Sequence, residues 1–156
     1  MKVFISYGDG SDQVTALRLQ ALGAVNGLTI YVPPAFTRQS VPGFLDPEIA
    51  QKLDESEVVL GVVVAGLAES CRQELNVSLA ARKNMVVMAY PTFASLLRPV
   101  FGSNLVEIDP ENPGAAEMDI VAYLTKITAQ QQAKTALLAL STLALGLLIL
   151  APADQS

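Results

Sequence analysis

Apolar positions come in two rhythms along the first 130 residues, short unbroken runs and stripes at helical spacing. Val3-Phe4-Ile5 is a short apolar run that stops at Tyr7-Gly8-Asp9-Gly10, the pattern of a buried strand ending in a turn. Val14, Leu17, Ala21, Leu22 and Val25 then recur at helical spacing, with Ser11 or Asp12 available as the cap and Asn26-Gly27 as the stop. Residues 28–32 form a second strand pattern closed by Pro33-Pro34, and a loop follows over 35–43. Asp46-Pro47-Glu48 predicts a helix start, with Asp46 as cap and Pro47 at the first helical position. Residues 58–64 are almost continuously apolar, as expected for the centre of a parallel sheet.

Ser70 and Gln73 have capping-box spacing, which predicts a helix over 70–83. Residues 85–89 read as a strand, 92–101 as a short helix and 105–108 as a fifth strand. Pro113-Gly114 leads into a last helix from Ala115. Five strands alternating with helices predict an α/β fold, a parallel sheet with helices on both faces. In such sheets ligands bind at the carboxyl ends of the strands. The loops after Tyr7, Val32 and Val64 therefore matter most.

The rhythm changes after Lys134. Residues 135–151 carry no charge and are mostly Leu and Ala. As a helix rising 1.5 Å per residue, this stretch spans roughly 26 Å, near the lower limit of ~17 residues for crossing a bilayer. The chain thus divides into a domain over 1–132 and an apolar helix over 133–156. With Lys126 and Lys134 ahead of it, the segment reads as a transmembrane tail anchor that leaves the domain in the cytoplasm. The alternative is a helix buried between copies of a cytoplasmic oligomer. Thr135, Ala139, Thr142 and Gly146 form a stripe of small residues of the kind that lets helices approach closely in membranes.

Composition narrows the chemistry. The formal charge of the 156-residue chain is −5 and its ten basic residues are scattered, so nucleic acid is a poor partner by charge. One cysteine, Cys71, excludes an intrachain disulfide. The absence of histidine excludes Ser-His-Asp triads, Cys-His pairs and histidine-ligated metals. The N-terminus lacks the ~7–15-residue apolar core of a signal peptide, so the domain is expected in the cytosol.

Four features gather at the predicted crevice. Tyr7-Gly8-Asp9-Gly10 follows strand one; it is not a dinucleotide fingerprint, and Asp9 and Asp12 would repel phosphate. Residues 37–43, TRQSVPG, hold one isolated cation, Arg38. Cys71 lies near a helix N-terminus, which can lower a thiol pKa. Glu74 lies in the first turn of the same helix. Each has a plain structural alternative: a turn, a solvated charge, a small core residue, and a carboxylate complementing the helix dipole.

Three of these stretches carry a resemblance. FISYG at 4–8 resembles the first box of Toll/interleukin-1 receptor (TIR) domains, in which the strand ends in a Ser-Tyr pair. RQSVPG at 38–43 is similar to their second box, Arg-Asp-x-x-Pro-Gly, with Gln39 in place of the Asp. AESCRQEL at 68–75 is similar to Ser-x-Trp-Cys-x-x-Glu-Leu; Cys71, Glu74 and Leu75 match, whereas Ala68 and Ser70 replace the Ser and the Trp. The boxes occur in order, and the resemblance covers about residues 1–130.

The resemblance implies a flavodoxin-like five-stranded parallel sheet and one of two activities. Many TIR domains cleave NAD at the nicotinamide–ribose bond, some cyclising the product, and others only assemble with partner TIR domains to pass on a signal. In catalytic members a Glu at this helix position contacts the ribose, and Glu74 matches it. Cleavage leaves positive charge on the ribose, which an adjacent carboxylate stabilises. NAD is then substrate, no further cofactor is implied, and neither metal nor histidine is required. The implied substrate-binding set is Tyr7, Gly8, Asp9, Phe36, Arg38, Ser70 and Cys71. Phe36 offers a stacking face where Ser70 lacks one, and Arg38 offers a cation for a phosphate or a neighbouring subunit. Arg38, Pro42 and Gly43 form the implied assembly loop, through which self-association completes the site. A defence or signalling effector active when assembled is the expected role. The alternatives are a non-catalytic assembly module and a nucleoside deoxyribosyltransferase-like enzyme, which also sets a carboxylate against a glycosidic bond.

Overall fold

The computed structural model describes residues 1–8, 10–38 and 44–132. The apolar segment over 133–156 and the candidate residues Asp9, Pro42 and Gly43 lie outside them. Among the described residues no helix is long and apolar enough to cross a membrane.

Five strands form one parallel sheet: β1 (Lys2–Tyr7), β2 (Thr29–Tyr31), β3 (Val58–Val63), β4 (Asn84–Ala89) and β5 (Leu105–Glu107), in the order β2-β1-β3-β4-β5. All six residues of β3 are buried, as its unbroken apolar run predicts. The helices are α1 (Ser11–Val25), α2 (Pro47–Glu55), α3 (Glu69–Ala80), α4 (Pro91–Phe101) and α5 (Pro113–Gln132). A short 3₁₀ turn at Ala35–Arg38 occupies the start of the expected loop after β2.

Strand alternation sorts the core into two layers. Val3, Ile5, Val58, Leu60, Val86 and Met88 face one way, packing with Leu19 of α1 and with Ile120 and Leu124 of α5. Phe4, Val59, Val63, Met85 and Val87 face the other way, against Ile49 and Leu53 of α2, Leu75 of α3 and Leu97 of α4. The chain leaves β1 in one direction to form β2, then returns past it to form β3. The order therefore reverses at β1, and the β1–β3 edge is where a crevice opens in such sheets.

Several local expectations need correction. The cap position of α1 is Gly10, at φ +58° and without a side-chain cap bond, rather than Ser11 or Asp12. The Asp12 carboxylate instead accepts hydrogen bonds from the backbone of Val64 and Ala65 at 2.9 and 2.8 Å, tying α1 to the loop after β3. On α1 the stripe that marks the helix is largely not the face it buries. Val14, Leu17 and Val25 are exposed, whereas Thr15, Ala16, Leu19 and Gly23 are buried. A Cβ on Gly23 would lie 2.3 Å from Ile30 Cδ1, so small residues are required where α1 meets the sheet. For α3 the capping box does not form: Ala68 takes the cap position without a side-chain bond, and Ser70 lies within the helix. Asp46 caps α2 as expected, accepting from the backbone of Glu48 and Ile49, with Pro47 following it.

A close approach of α3 to the sheet sets up the site. Gly61 of β3 is paired in register with Ser6 of β1. A Cβ on Gly61 would lie 3.1 Å from Leu75 Cδ2 and 3.3 Å from Val87 Cγ2. The missing side chain lets Leu75 lie flat on the strand and brings the adjacent Glu74 within reach of Ser6.

Candidate functional site

Glu74 is the centre of the arrangement. It projects from the first half of α3 into the carboxyl end of the sheet, and its side chain is buried. One carboxylate oxygen, Oε1, accepts from Ser6 Oγ at 2.8 Å and from Arg38 Nη1 at 3.0 Å. The other, Oε2, accepts from Arg38 Nη2 at 2.7 Å. This fork-to-fork geometry holds both partners in one plane.

Arg38 reaches Glu74 from the end of the 3₁₀ turn. Its Nη1 also donates to the Tyr7 carbonyl at 2.9 Å, and its guanidinium carbon lies 5.0 Å from the centroid of the Tyr7 ring. The Arg38 side chain is only 2% exposed. Two bonds hold its turn in place, from Ser70 Oγ to the Arg38 carbonyl at 2.8 Å and from Thr37 Oγ1 to the Pro34 carbonyl at 2.6 Å. Arg38 is therefore not a solvated charge. It neutralises Glu74 within the chain.

A cavity of about 200 Å³ opens over this pair. Phe36, Arg38, Ser70 and Glu74 line it, together with Phe44, Asp46, Ile49 and Gln73, which the motif pattern did not single out. Ser70, Gln73 and Glu74 share it because positions three and four apart lie on one helix face. Phe36 and Phe44 are exposed, at 81% and 54%. The volume is below the ~300–1,000 Å³ of a pocket for a drug-sized ligand. It suits one ring or sugar of a larger substrate, with the remainder outside.

Three further candidates are placed elsewhere. Tyr7 is fully buried; its hydroxyl donates to the Pro33 carbonyl at 2.6 Å, and it meets the site only through Arg38. Gly8 is not among the residues that line this cavity. A Cβ there would lie 3.0 Å from that of Ala68, so its role is to let the turn after β1 pass the loop after β3. Cys71 is fully buried in the core against α2 and α4. Burial pushes its thiol up to about 12, the opposite of the lowering expected near a helix N-terminus. The full loss of hydration outweighs the helix dipole.

The Glu74 carboxyl is also raised above its ordinary value. Burial is the main cause, and the Arg38 guanidinium and Ser6 hydroxyl draw it part of the way back. Ser6 is the residue that motif reading passed over: it stands inside FISYG, yet only the sheet register and the approach of α3 reveal that it supports Glu74.

Fold and site together define a parallel α/β domain with a carboxylate–guanidinium pair beneath a small cavity formed by the segment after β2, the start of α2 and α3. No protein-family profile and no curated protein matches the chain. Among solved structures, a 2-deoxyribosyltransferase from the psychrotolerant bacterium Bacillus psychrosaccharolyticus is similar at a TM-score of 0.46 and 10% sequence identity, covering 57% of this chain and 72% of that one. A likeness at this level carries no functional information.

Proposed function

We propose that this chain is a TIR-like domain that cleaves NAD between nicotinamide and ribose, with Glu74 as the carboxylate facing the ribose. The observation that carries the reading is the position of Glu74, a motif residue that borders the cavity beside Phe36, Arg38 and Ser70. The strand order, which is that of flavodoxin-like folds, also supports it.

The chemistry follows from charge. The bond from ribose C1′ to the pyridinium nitrogen breaks with its electron pair going to nitrogen, which becomes neutral as nicotinamide leaves. C1′ becomes an oxocarbenium-like centre, stabilised by the carboxylate beside it. Water adds to C1′ and releases its proton to solvent, giving ADP-ribose; attack by a ring nitrogen of the adenine gives the cyclic product instead. Phe36 and Phe44 offer stacking faces at the rim for an aromatic base.

The apolar segment over 133–156 belongs to the same proposal. As a membrane anchor, or as a helix shared between copies, it would concentrate the domains for assembly, as expected of a signalling or defence effector. The test of the enzymatic reading is NAD turnover by assembled wild-type protein beside Glu74→Ala. Absence of turnover by the wild type, or equal turnover by the variant, overturns it. Base exchange on deoxynucleosides with NAD left intact would favour a deoxyribosyltransferase-like enzyme.

A second reading, a non-catalytic assembly module, is favoured by the closed Arg38–Glu74 pair, which leaves the carboxylate neutralised. It predicts that recruitment of partner domains survives Glu74→Ala and fails when Pro42 is changed.

A further inference from the structure

The cage around Arg38 is built for a planar cation. Its guanidinium is met by both oxygens of Glu74, by the Tyr7 carbonyl and by the Tyr7 ring. These are a negative charge, a carbonyl dipole and an aromatic face, and together they stabilise a flat, delocalised cation. An oxocarbenium-like ribose and a pyridinium ring are cations of the same kind. Arg38 fills one acceptor site on each carboxylate oxygen and Ser6 a second on Oε1, which leaves ribose hydroxyls at most one of the roughly four sites.

We propose that Arg38 is a resident ligand of the site, its guanidinium standing where the cationic half of the substrate goes, so that substrate and Arg38 compete for Glu74. This rests on the reading of Glu74 as the ribose-facing carboxylate. The device is local. Arg38 belongs to a four-residue 3₁₀ turn, held to α3 by the bond from Ser70 Oγ to its carbonyl. The same turn carries the exposed Phe36. Withdrawing the turn from α3 breaks the Ser70 bond and the ion pair together, which uncovers Glu74 and moves Phe36 in one motion.

The test combines Arg38→Ala in the full-length chain with free guanidinium chloride at low millimolar concentration, sodium chloride at equal ionic strength being the control. If Arg38 occupies the site in about nine of ten molecules, its removal lowers the KM for NAD about tenfold, because apparent affinity scales with the open fraction. Guanidinium then raises KM again without changing kcat. If turnover instead falls in Arg38→Ala and guanidinium restores it, Arg38 assists the reaction and the proposal is overturned. A separate readout does not depend on turnover. Guanidinium should raise the melting temperature of Arg38→Ala above the sodium control, and should fail to do so in Arg38→Ala/Glu74→Gln. If both wild type and variant leave NAD intact but this stabilisation is seen, the planar-cation site stands and the NAD reading falls. If the stabilisation is absent, the site itself is refuted. Arg38→Gln, whose amide still donates to the carboxylate, serves for the same measurements should the alanine variant not fold.

Discussion

Arg38 grips Glu74 with both arms of its guanidinium, at 3.0 and 2.7 Å, and each side chain is only 2% exposed. Thirty-six residues separate them in the chain, and one lies on a 3₁₀ turn while the other lies on a helix. A buried pair of this kind gains little over a well-packed apolar pair, yet is costly to break from one side. Arg38→Leu and Glu74→Leu should each lose about 3–5 kcal/mol of stability, because each leaves an uncompensated buried charge. The double variant should lose clearly less than the sum. Urea unfolding of the four proteins measures the coupling, and additivity within about 0.5 kcal/mol would show that the two residues act independently.

The pH dependence has a defined sign. Burial holds the Glu74 carboxyl above its ordinary value of 4.5, so the native state keeps this proton to higher pH than the unfolded chain does. The group's contribution to stability is therefore complete below 4.5 and is lost as pH rises through the raised native value. Relative to Glu74→Gln, wild-type stability should decline across that window. Arg38→Gln removes the strongest downward pull on the carboxyl and should extend the window upward. Thermal unfolding against pH reads both effects, and a difference between wild type and Glu74→Gln that stays flat at every pH above 4.5 would contradict them.

Cys71 should behave as a core residue. With its thiol pushed to about 12 and no exposed surface, it is almost entirely unionised at neutral pH. A thiol reagent should leave it unmodified in the native protein and label it fully in denaturant. Rapid labelling of the folded chain would show that α3 opens locally at low cost.

Gly61 controls the distance between Glu74 and Ser6. Gly61→Val places carbon atoms where Leu75 and Val87 already lie, at an expected cost of about 1–3 kcal/mol from overpacking. If the chain cleaves NAD as proposed, the variant should also lose more turnover than its stability loss explains, since α3 carries Glu74. Turnover equal to wild type in a folded Gly61→Val protein would argue against a positioning role for this contact.

Deleting residues 133–156 tests the apolar segment. If it anchors the domain, truncation moves the protein from the membrane fraction to the soluble fraction. If full-length protein forms discrete oligomers without detergent, the segment is a helix shared between copies.

Much of the fold was legible because each signal is local. Five apolar runs mark five strands, Asp46-Pro47 marks a helix start, and the unbroken apolar run of β3 marks the buried centre. The candidate site was legible in part, since Phe36, Arg38, Ser70 and Glu74 do line one cavity. Signals that rested on spacing alone misled. Ser70 has the spacing of a cap, but its hydroxyl bonds the Arg38 carbonyl. Val14, Leu17 and Val25 keep helical spacing, but close approach to the sheet selects Ala16 and Gly23 for the buried face.

By itself the sequence determined the order of strands and helices, the parallel class of the sheet, and a carboxylate at one position of α3, because propensity, punctuation and periodicity act within a few residues. Tertiary structure alone decided that Glu74 is paired with Arg38 and supported by Ser6, that Cys71 is buried in the core, and that Asp12 tethers a loop instead of capping its helix. Charge state and hydrogen-bond partners depend on burial and on distances between residues far apart in the chain, and those are set only when α3 closes onto Gly61 and the turn at Arg38 meets the end of β1.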